Sequence, residues 1–418
     1  MTTKRVAVPH FVLCALMLIL SFVGITNAWR TGKARLLIRE ANQSLSQAPA
    51  DRASMLSPAD PESHATRALV LYQSDDLTGC IAELEQAVAL RLEDYLLWLQ
   101  LGRARDEAGN TRGALLALQH AIELAPHYSD PRWQYGNVLY RAGRLPEAFD
   151  QLRTATRSDP SLAPVLMDLA WGTYPGDANA VERIVSPVSD EQRISLARFF
   201  VKKGLTDEAL SLFRSAVQHS HEESARLLSD LTQAKQFRAA YEVWSAIQPN
   251  RGETIAGAIT DPGFEQQLNI DAKGFSWRQE HALQGVRLSL DNRHQKSGSN
   301  CLSIEWNGHG TPEASVISQL VLVRPSGRYR LSFFVRTENV IAGGLPLIAV
   351  TDAVSDRTLA LSKPFAEGTS NWQQYEVEFE TAATTDAVEI SVRRQACPDN
   401  PCPMFGRVWL DDFALRKE

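Results

Sequence analysis

A chain of 418 residues exceeds what one hydrophobic core serves and predicts two or three domains. Apolar residues at 44% and charged residues at 22% are those of a globular protein. The net charge of −6 comes with no basic run able to neutralise several phosphates, so nucleic acid is not expected as a partner.

Lys4 and Arg5 precede an apolar stretch from Val6 to Trp29, and no residue from Phe11 to Ala28 is charged. About 20 apolar residues span a bilayer as a helix. Thr26-Asn27-Ala28 fits a signal-cleavage site only loosely, and Arg30, Lys33 and Arg35 follow at once. Residues 1–30 are therefore expected to be an uncleaved signal-anchor, a transmembrane helix holding the chain at the inner membrane. Basic residues flank both sides, so loop charge does not set the orientation. Residues 31–60 read as a polar helix running into a linker, punctuated by Pro49, Pro58 and Pro61.

From residue 61 the sequence repeats itself every 34 residues: Gly102 recurs as Gly136, Ala114 as Ala148, Leu118 as Leu152, Ala121 as Ala155 and Pro126 as Pro160. One step back stand Ala68, Cys80, Leu84, Ala87 and Leu92, a weaker copy. The small residues let helices approach, while Trp98, Leu101 and Leu118 fill the space between units. The prolines stop the second helix, because proline lacks an amide proton and disfavours helix in the residue before it. Three units are predicted, 61–94, 95–128 and 129–162. The pattern resembles the tetratricopeptide repeat, a pair of antiparallel helices. That resemblance implies a solenoid whose concave groove binds a segment of a partner protein and carries no chemistry.

Residues 163–189 read as a degenerate helical pair containing Pro175, Gly176 and Pro187. Ala197, Phe200, Ala209, Phe213 and Ala216 then restore the spacing, with Gly204 in the turn. Leu228, Leu231, Ala240, Trp244 and Ile247 repeat it. The helical region is thus expected to cover 61–250, with Pro249-Asn250-Arg251-Gly252 at its end.

Beyond it, alternating segments predict strands at Cys301–Trp306, Tyr329–Arg336, Trp372–Phe379, Ala387–Val392 and Arg407–Phe413. Short strands at this spacing predict a β-sandwich over 255–418. The order of motifs runs Gly263-Phe264-Glu265, Trp277, Ser297-Gly298-Ser299-Asn300-Cys301-Leu302, Pro325–Phe333, Trp372 with Tyr375, and Leu410-Asp411-Asp412-Phe413. In that order they resemble the jelly rolls of carbohydrate-binding modules of families 4, 9 and 22, in the galactose-binding-like group. Ser326 departs from the pattern as an insertion before Gly327.

The resemblance implies a structural calcium held by Glu265 and Asp411 with backbone carbonyls, since calcium takes about six to eight oxygens. The bland reading is that Glu265 caps a turn and Asp411 is solvated. It also implies a glycan surface, because sugar rings stack on aromatic faces beside polar side chains. Tyr329, Leu331, Phe333 and Val335 read as core. The opposite set includes Phe334 and Arg336, and Trp306 and Trp409 are further candidates. Aromatics in a sandwich are more often packing than platform.

Cys397 and Cys402 lie in Cys-Pro-Asp-Asn-Pro-Cys. A disulfide suits this loop in an oxidising compartment, and a zinc pair lacks a second pair of ligands nearby. No nucleotide loop, zinc-protease helix or Gly-x-Ser-x-Gly elbow occurs. The expected protein is multidomain: a membrane anchor, a helical solenoid and an all-β jelly roll. It is expected to be a non-enzymatic adaptor with an extracytoplasmic, periplasmic body, binding a protein partner and a polysaccharide in envelope or exopolysaccharide assembly. A pure protein scaffold and an unrecognised glycoside hydrolase are the competing readings.

Overall fold

The computed structural model describes residues 10–218, 220–248, 257–268, 274–279, 283–308, 315–397 and 402–418. The expected stop at Pro249–Gly252 lies outside them. Two units make up the chain, Met1–Ser186 and Pro187–Glu418.

The first unit is helical. It runs α1 (His10–Ser44), α2 (Gln47–Leu56), α3 (Pro61–Gln73), α4 (Leu77–Leu90), α5 (Tyr95–Glu107), α6 (Thr111–Leu124), α7 (Ser129–Arg141), α8 (Leu145–Ser158), α9 (Ala163–Thr173) and α10 (Ala178–Val185). The helices α3, α5, α7 and α9 start at 61, 95, 129 and 163, so the degenerate pair keeps the phase. It only loses length. Side-chain caps set several starts: Asp60, Asp76, Asp94 and Asn110 each accept from a backbone N–H in the first turn of α3, α4, α5 and α6. Gly109 and Gly143 close the turns within repeats two and three at φ +76°, and Asp75 holds the equivalent place at φ +63°.

Gly102 and Gly136 are the close-approach points. A Cβ at Gly102 would lie 2.5 Å from Leu118 Cγ, and one at Gly136 would lie 2.7 Å from Leu152 Cγ. Glycine there lets α5 and α7 seat on α6 and α8.

Helix α1 is long and apolar enough to cross a membrane by length and composition, features a signal sequence shares. Residues 31–60 are more ordered than the expected linker. Helix α1 runs through them to Ser44 and α2 follows, with Ala34, Ile38, Ala41, Ala50 and Ala53 buried. Ala41, Ala50 and Val70 share one small core, which joins α1 and α2 to α3. Alanines carry this stripe, and among the surrounding arginines they read as polar helix.

The second unit begins with α11 (Asp190–Lys202), α12 (Thr206–Ser215), α13 (His221–Gln233) and α14 (Phe237–Ile247). Nine strands follow among the described residues: β1 (Val286–Asp291), β2 (Cys301–Asn307), β3 (Ile317–Leu322), β4 (Arg328–Ala342), β5 (Pro346–Asp352), β6 (Thr358–Leu361), β7 (Gly368–Glu380), β8 (Ala387–Arg394) and β9 (Met404–Lys417). They form two antiparallel sheets, ordered β1-β2-β9-β4-β7 and β3-β8-β5-β6. Leu331, Phe333 and Val335 of the first sheet pack with Ile348, Val350 and Ile390 of the second in one core. Strands β3 and β5 were not expected. They are buried along their whole length, so they show no alternation to read.

Helices α13 and α14 belong to this unit with the sheets. Trp244 packs 5.6 Å from the Phe275 ring, and Gly274 makes room for it at φ +89°. Lys235 Nζ bonds the Val354 carbonyl at 2.6 Å and Asp356 at 2.8 Å. Helices and strands on either side of the expected boundary at 250–255 thus share one unit.

Candidate functional site

The repeat phase builds a cleft in the first unit. Helices α3, α5 and α7 line it with help from Asn42 of α1 and Cys80 and Leu84 of α4, and it holds about 810 Å³. Its polar floor is periodic. Thr66, Gln100 and Gln134 are equivalent positions of successive repeats, as are Gln73, Glu107 and Arg141. A side chain that lines the groove in one repeat thus recurs there in the next. The 34-residue spacing of these polar positions is a signal the sequence carries alongside that of the packing positions.

The cleft offers hydrogen bonding and apolar surface in about equal measure. Leu69 and Tyr72 stay 42% and 39% exposed within it. A hydrogen bond to Glu107 holds the Tyr72 phenol above its ordinary range. Arg141 pairs with Asp106, while Gln100 and Arg103 are exposed. Cys80 lines the wall, but burial pushes its thiol up to about 11, which withholds the thiolate a nucleophile would need. Side-chain amides and a few charges suit an extended peptide backbone.

In the second unit, Glu265 and Asp411 do come to one place. A Cβ at Gly263 would lie 3.5 Å from Asp411 Oδ1 and 3.8 Å from Glu265 Oε1. Both carboxylates clasp the segment 296–300. Asp411 Oδ2 accepts from the Lys296 and Ser297 N–H groups at 2.8 and 3.2 Å, and Glu265 Oε1 accepts from Ser299 N–H at 2.9 Å. Gly298 is required there, since its Cβ would fall 1.8 Å from Glu265 Oε1 at φ +64°. Burial pushes the Asp411 carboxyl up, against these N–H bonds. Asp411 is thus fully buried, not the solvated residue of the bland reading. Among the described residues no set of three or more His, Cys, Asp or Glu side chains converges. Calcium would need further oxygens from backbone, and the clasped segment turns N–H groups toward both carboxylates. The pair fits a loop clasp better than a calcium cage.

The glycan candidates separate. Trp306 is 3% exposed and shares its strand face with Leu302 and Ile304 in the core, so it offers no ring to a ligand. Trp409 points away from Val408 and Leu410 but is 0% exposed. The guanidinium groups of Arg336 and Arg407 lie 5.5 and 5.6 Å from its ring centre, and its Nε1–H donates to Asp291 at 2.8 Å. Long arginine stems cover the ring that strand alternation had turned outward. Phe334 and Arg336 keep partial exposure, with Lys296 Nζ 4.8 Å over the Phe334 ring. Cys397 and Cys402 are joined in a disulfide with Cα atoms 5.9 Å apart.

Comparison with known proteins bears on the helical region. Residues 107–167 match the tetratricopeptide repeat model. Over 103 residues the chain is 28% identical to DnaJ homolog subfamily C member 3 of Rattus norvegicus, 25% of this chain and 20% of that protein. The Bos taurus protein of that name is 27% identical over the same length. The chain thus spans about a fifth of the length of these relatives. Among solved structures, the MamA protein is 17% identical with a TM-score of 0.30, covering 51% of this chain and 96% of that one. YrrB, a TPR protein with an unusual peptide-binding site, is 20% identical with a TM-score of 0.28, covering 52% and 90%. The CBM22-1-GH10 modules of Clostridium thermocellum xylanase 10B, complexed with xylohexaose, are 13% identical with a TM-score of 0.26, covering 38% and 28%. A tetratricopeptide repeat match thus covers residues 107–167, within a helical region that lies ahead of a two-sheet β region in the chain.

Proposed function

We propose that this chain is a non-enzymatic adaptor that takes an extended segment of a partner protein into the cleft of α3, α5 and α7. The observation that carries this reading is the periodic polar floor of that cleft, flanked by exposed Leu69 and Tyr72. A photo-crosslinking residue at Gln100 should trap a partner in cells. Tyr72→Ala with Gln134→Ala should lose that crosslink. Crosslinks that survive the pair, or that form equally from the outer helices α4 and α6, would place the partner elsewhere.

The N-terminal helix would hold this adaptor at a membrane with an extracytoplasmic body, a reading supported by its uncharged run and by the Cys397–Cys402 disulfide. Cell fractionation with residues 1–29 removed checks it. The strand order and motif order support a jelly roll of the carbohydrate-binding kind in the second unit. Of the glycan candidates, Phe334 and Arg336 remain, and retention on polysaccharide columns by wild type but not by Phe334→Ala would favour an envelope or exopolysaccharide role. Calcium belongs to this reading only if the ion displaces the amide contacts of Glu265 and Asp411. A melting point raised by calcium over chelator, and lost in Glu265→Ala, would support it.

A further inference from the structure

Strand β8 ends on an arginine with no anion beside it among the described residues. Arg394 is 7% exposed. Its Nε donates to the Gly344 carbonyl at 3.2 Å and its Nη2 to the Cys402 carbonyl at 3.0 Å, while Nη1 has no partner. Burial alone acts on the guanidinium, pushing it below the ordinary arginine range. The neighbouring Arg393 turns to Glu389 at 3.8 Å. A buried cation of this kind is costly without a counter-charge. Among the described residues, sulfur is a group able to become one: Nη2 lies 2.9 Å from Cys402 Sγ. The other sulfur is placed differently. Cys397 Sγ rests on the turn between β4 and β5, where a Cβ at Gly343 or Gly344 would meet it at 3.1 or 3.2 Å.

We propose that Cys397–Cys402 is a thiol-exchange site for a protein dithiol, with Cys402 as the leaving sulfur and Arg394 as the residue that holds its thiolate. One thiolate of the dithiol attacks Cys397 Sγ. The Cys397–Cys402 bond breaks, and its electron pair leaves on Cys402 Sγ beside the guanidinium. The second thiol of the dithiol attacks the mixed disulfide, departs oxidised, and frees Cys397 to take a proton from water. Two electrons pass from the dithiol to the pair. Arg394 is a positioning residue here, since it stabilises the reduced charge state without forming a bond. A leaving thiol of lower pKa leaves faster, and stabilising the thiolate favours the reduced form at equilibrium. Both cysteines are partly exposed, whereas Cys80 and Cys301 are buried free thiols and serve as silent controls.

The full chain is equilibrated in glutathione redox buffers, trapped with maleimide, and its reduced fraction read by mass. Arg394→Met should need a buffer at least tenfold more reducing than wild type for half-reduction, equivalent to about 30 mV. Arg394→Lys, which keeps the charge, should fall between them. Wild type and Arg394→Met titrating together would overturn the proposal. If Arg394→Met fails to fold, the reduced wild type decides. Under limiting iodoacetamide at mildly acidic pH, Cys402 should label at least tenfold faster than Cys397. Equal labelling would overturn it.

Discussion

Gly102 stands where α5 meets α6, and the smallest side chain there is a steric test of the repeat packing. A methyl group would lie 2.5 Å from Leu118 Cγ and 2.8 Å from its Cδ2. Carbon pairs rest at about 3.5–4.0 Å, so something must move by about 1 Å. The clash is with the branch carbon, not a flexible tip, and Leu118 is 0% exposed with no space to enter. Overpacking costs about 1–3 kcal/mol, and a site without slack belongs at the upper end. Alanine in place of a helical glycine returns about 1 kcal/mol. The expected outcome for Gly102→Ala is a net loss of about 2 kcal/mol, or about 4–8 °C in Tm for a unit of this size. Thermal unfolding of residues 30–186, followed by helical circular dichroism, reads it directly. Gly136→Ala should behave alike, since its contact with Leu152 Cγ is 2.7 Å. Gly172 in α9 meets nothing within 4 Å, and Gly172→Ala should gain up to about 1 kcal/mol. A Gly102→Ala protein that melts at or above wild type refutes the reasoning, as does a Gly172→Ala control that falls with it.

Three further outcomes are expected. Asp75→Gly should stabilise the first unit by about 0.5–1 kcal/mol, because a left-handed residue without a Cβ replaces one with φ +63°; urea unfolding with no gain would count against it. Trp244→Ala should cost about 3–5 kcal/mol in the second unit, since it is 1% exposed and packed on Phe275; unfolding of residues 187–418 should show the loss in helix and sheet together, and a change confined to the helices would contradict the shared body. Asp291 is held at about 2, below 3.8: burial opposes its ionisation, but hydrogen bonds from Arg293 N–H, His294 and Trp409 outweigh it. A depressed carboxyl contributes above its unfolded value and loses that contribution as pH falls through its folded value. Wild type should therefore lose on the order of 2 kcal/mol between about pH 4 and pH 2. Asp291→Asn should remove that slope, and identical acid titrations would rule the assignment out.

The helical repeats were legible because each packing position recurs: Gly102 and Gly136 occupy one steric niche twice. The groove was equally legible through Thr66, Gln100 and Gln134, once the polar positions are set in phase. A strand half-buried on one face, such as β4, announced itself by alternation. Strands β3 and β5 did not, because both their faces are buried. Trp306 could have been assigned to the core from Leu302 and Ile304, four and two residues before it. Trp409 could not. Its cover comes from Arg336 and Arg407, and pairing of β9 with β4 is needed to bring the first of these over it. Arg394 carried no sequence signal, since nothing local says that an arginine at a strand end is buried beside a sulfur.

The packing of Trp244 on Phe275 bears on how this protein was put together. A cut near residue 250, where composition changes, would strip cover from two large aromatic rings. Each fragment would expose a sticky patch, since rings of this size bury about 150–250 Å² apiece. A cut near Pro187 would leave both rings covered. The segment able to move intact between genes is thus four helices together with both sheets. Shuffling of the sheets alone would have had to invent a new cap for Phe275 at each transfer, so chains that share this β region should be expected to bring α13 and α14 along with it.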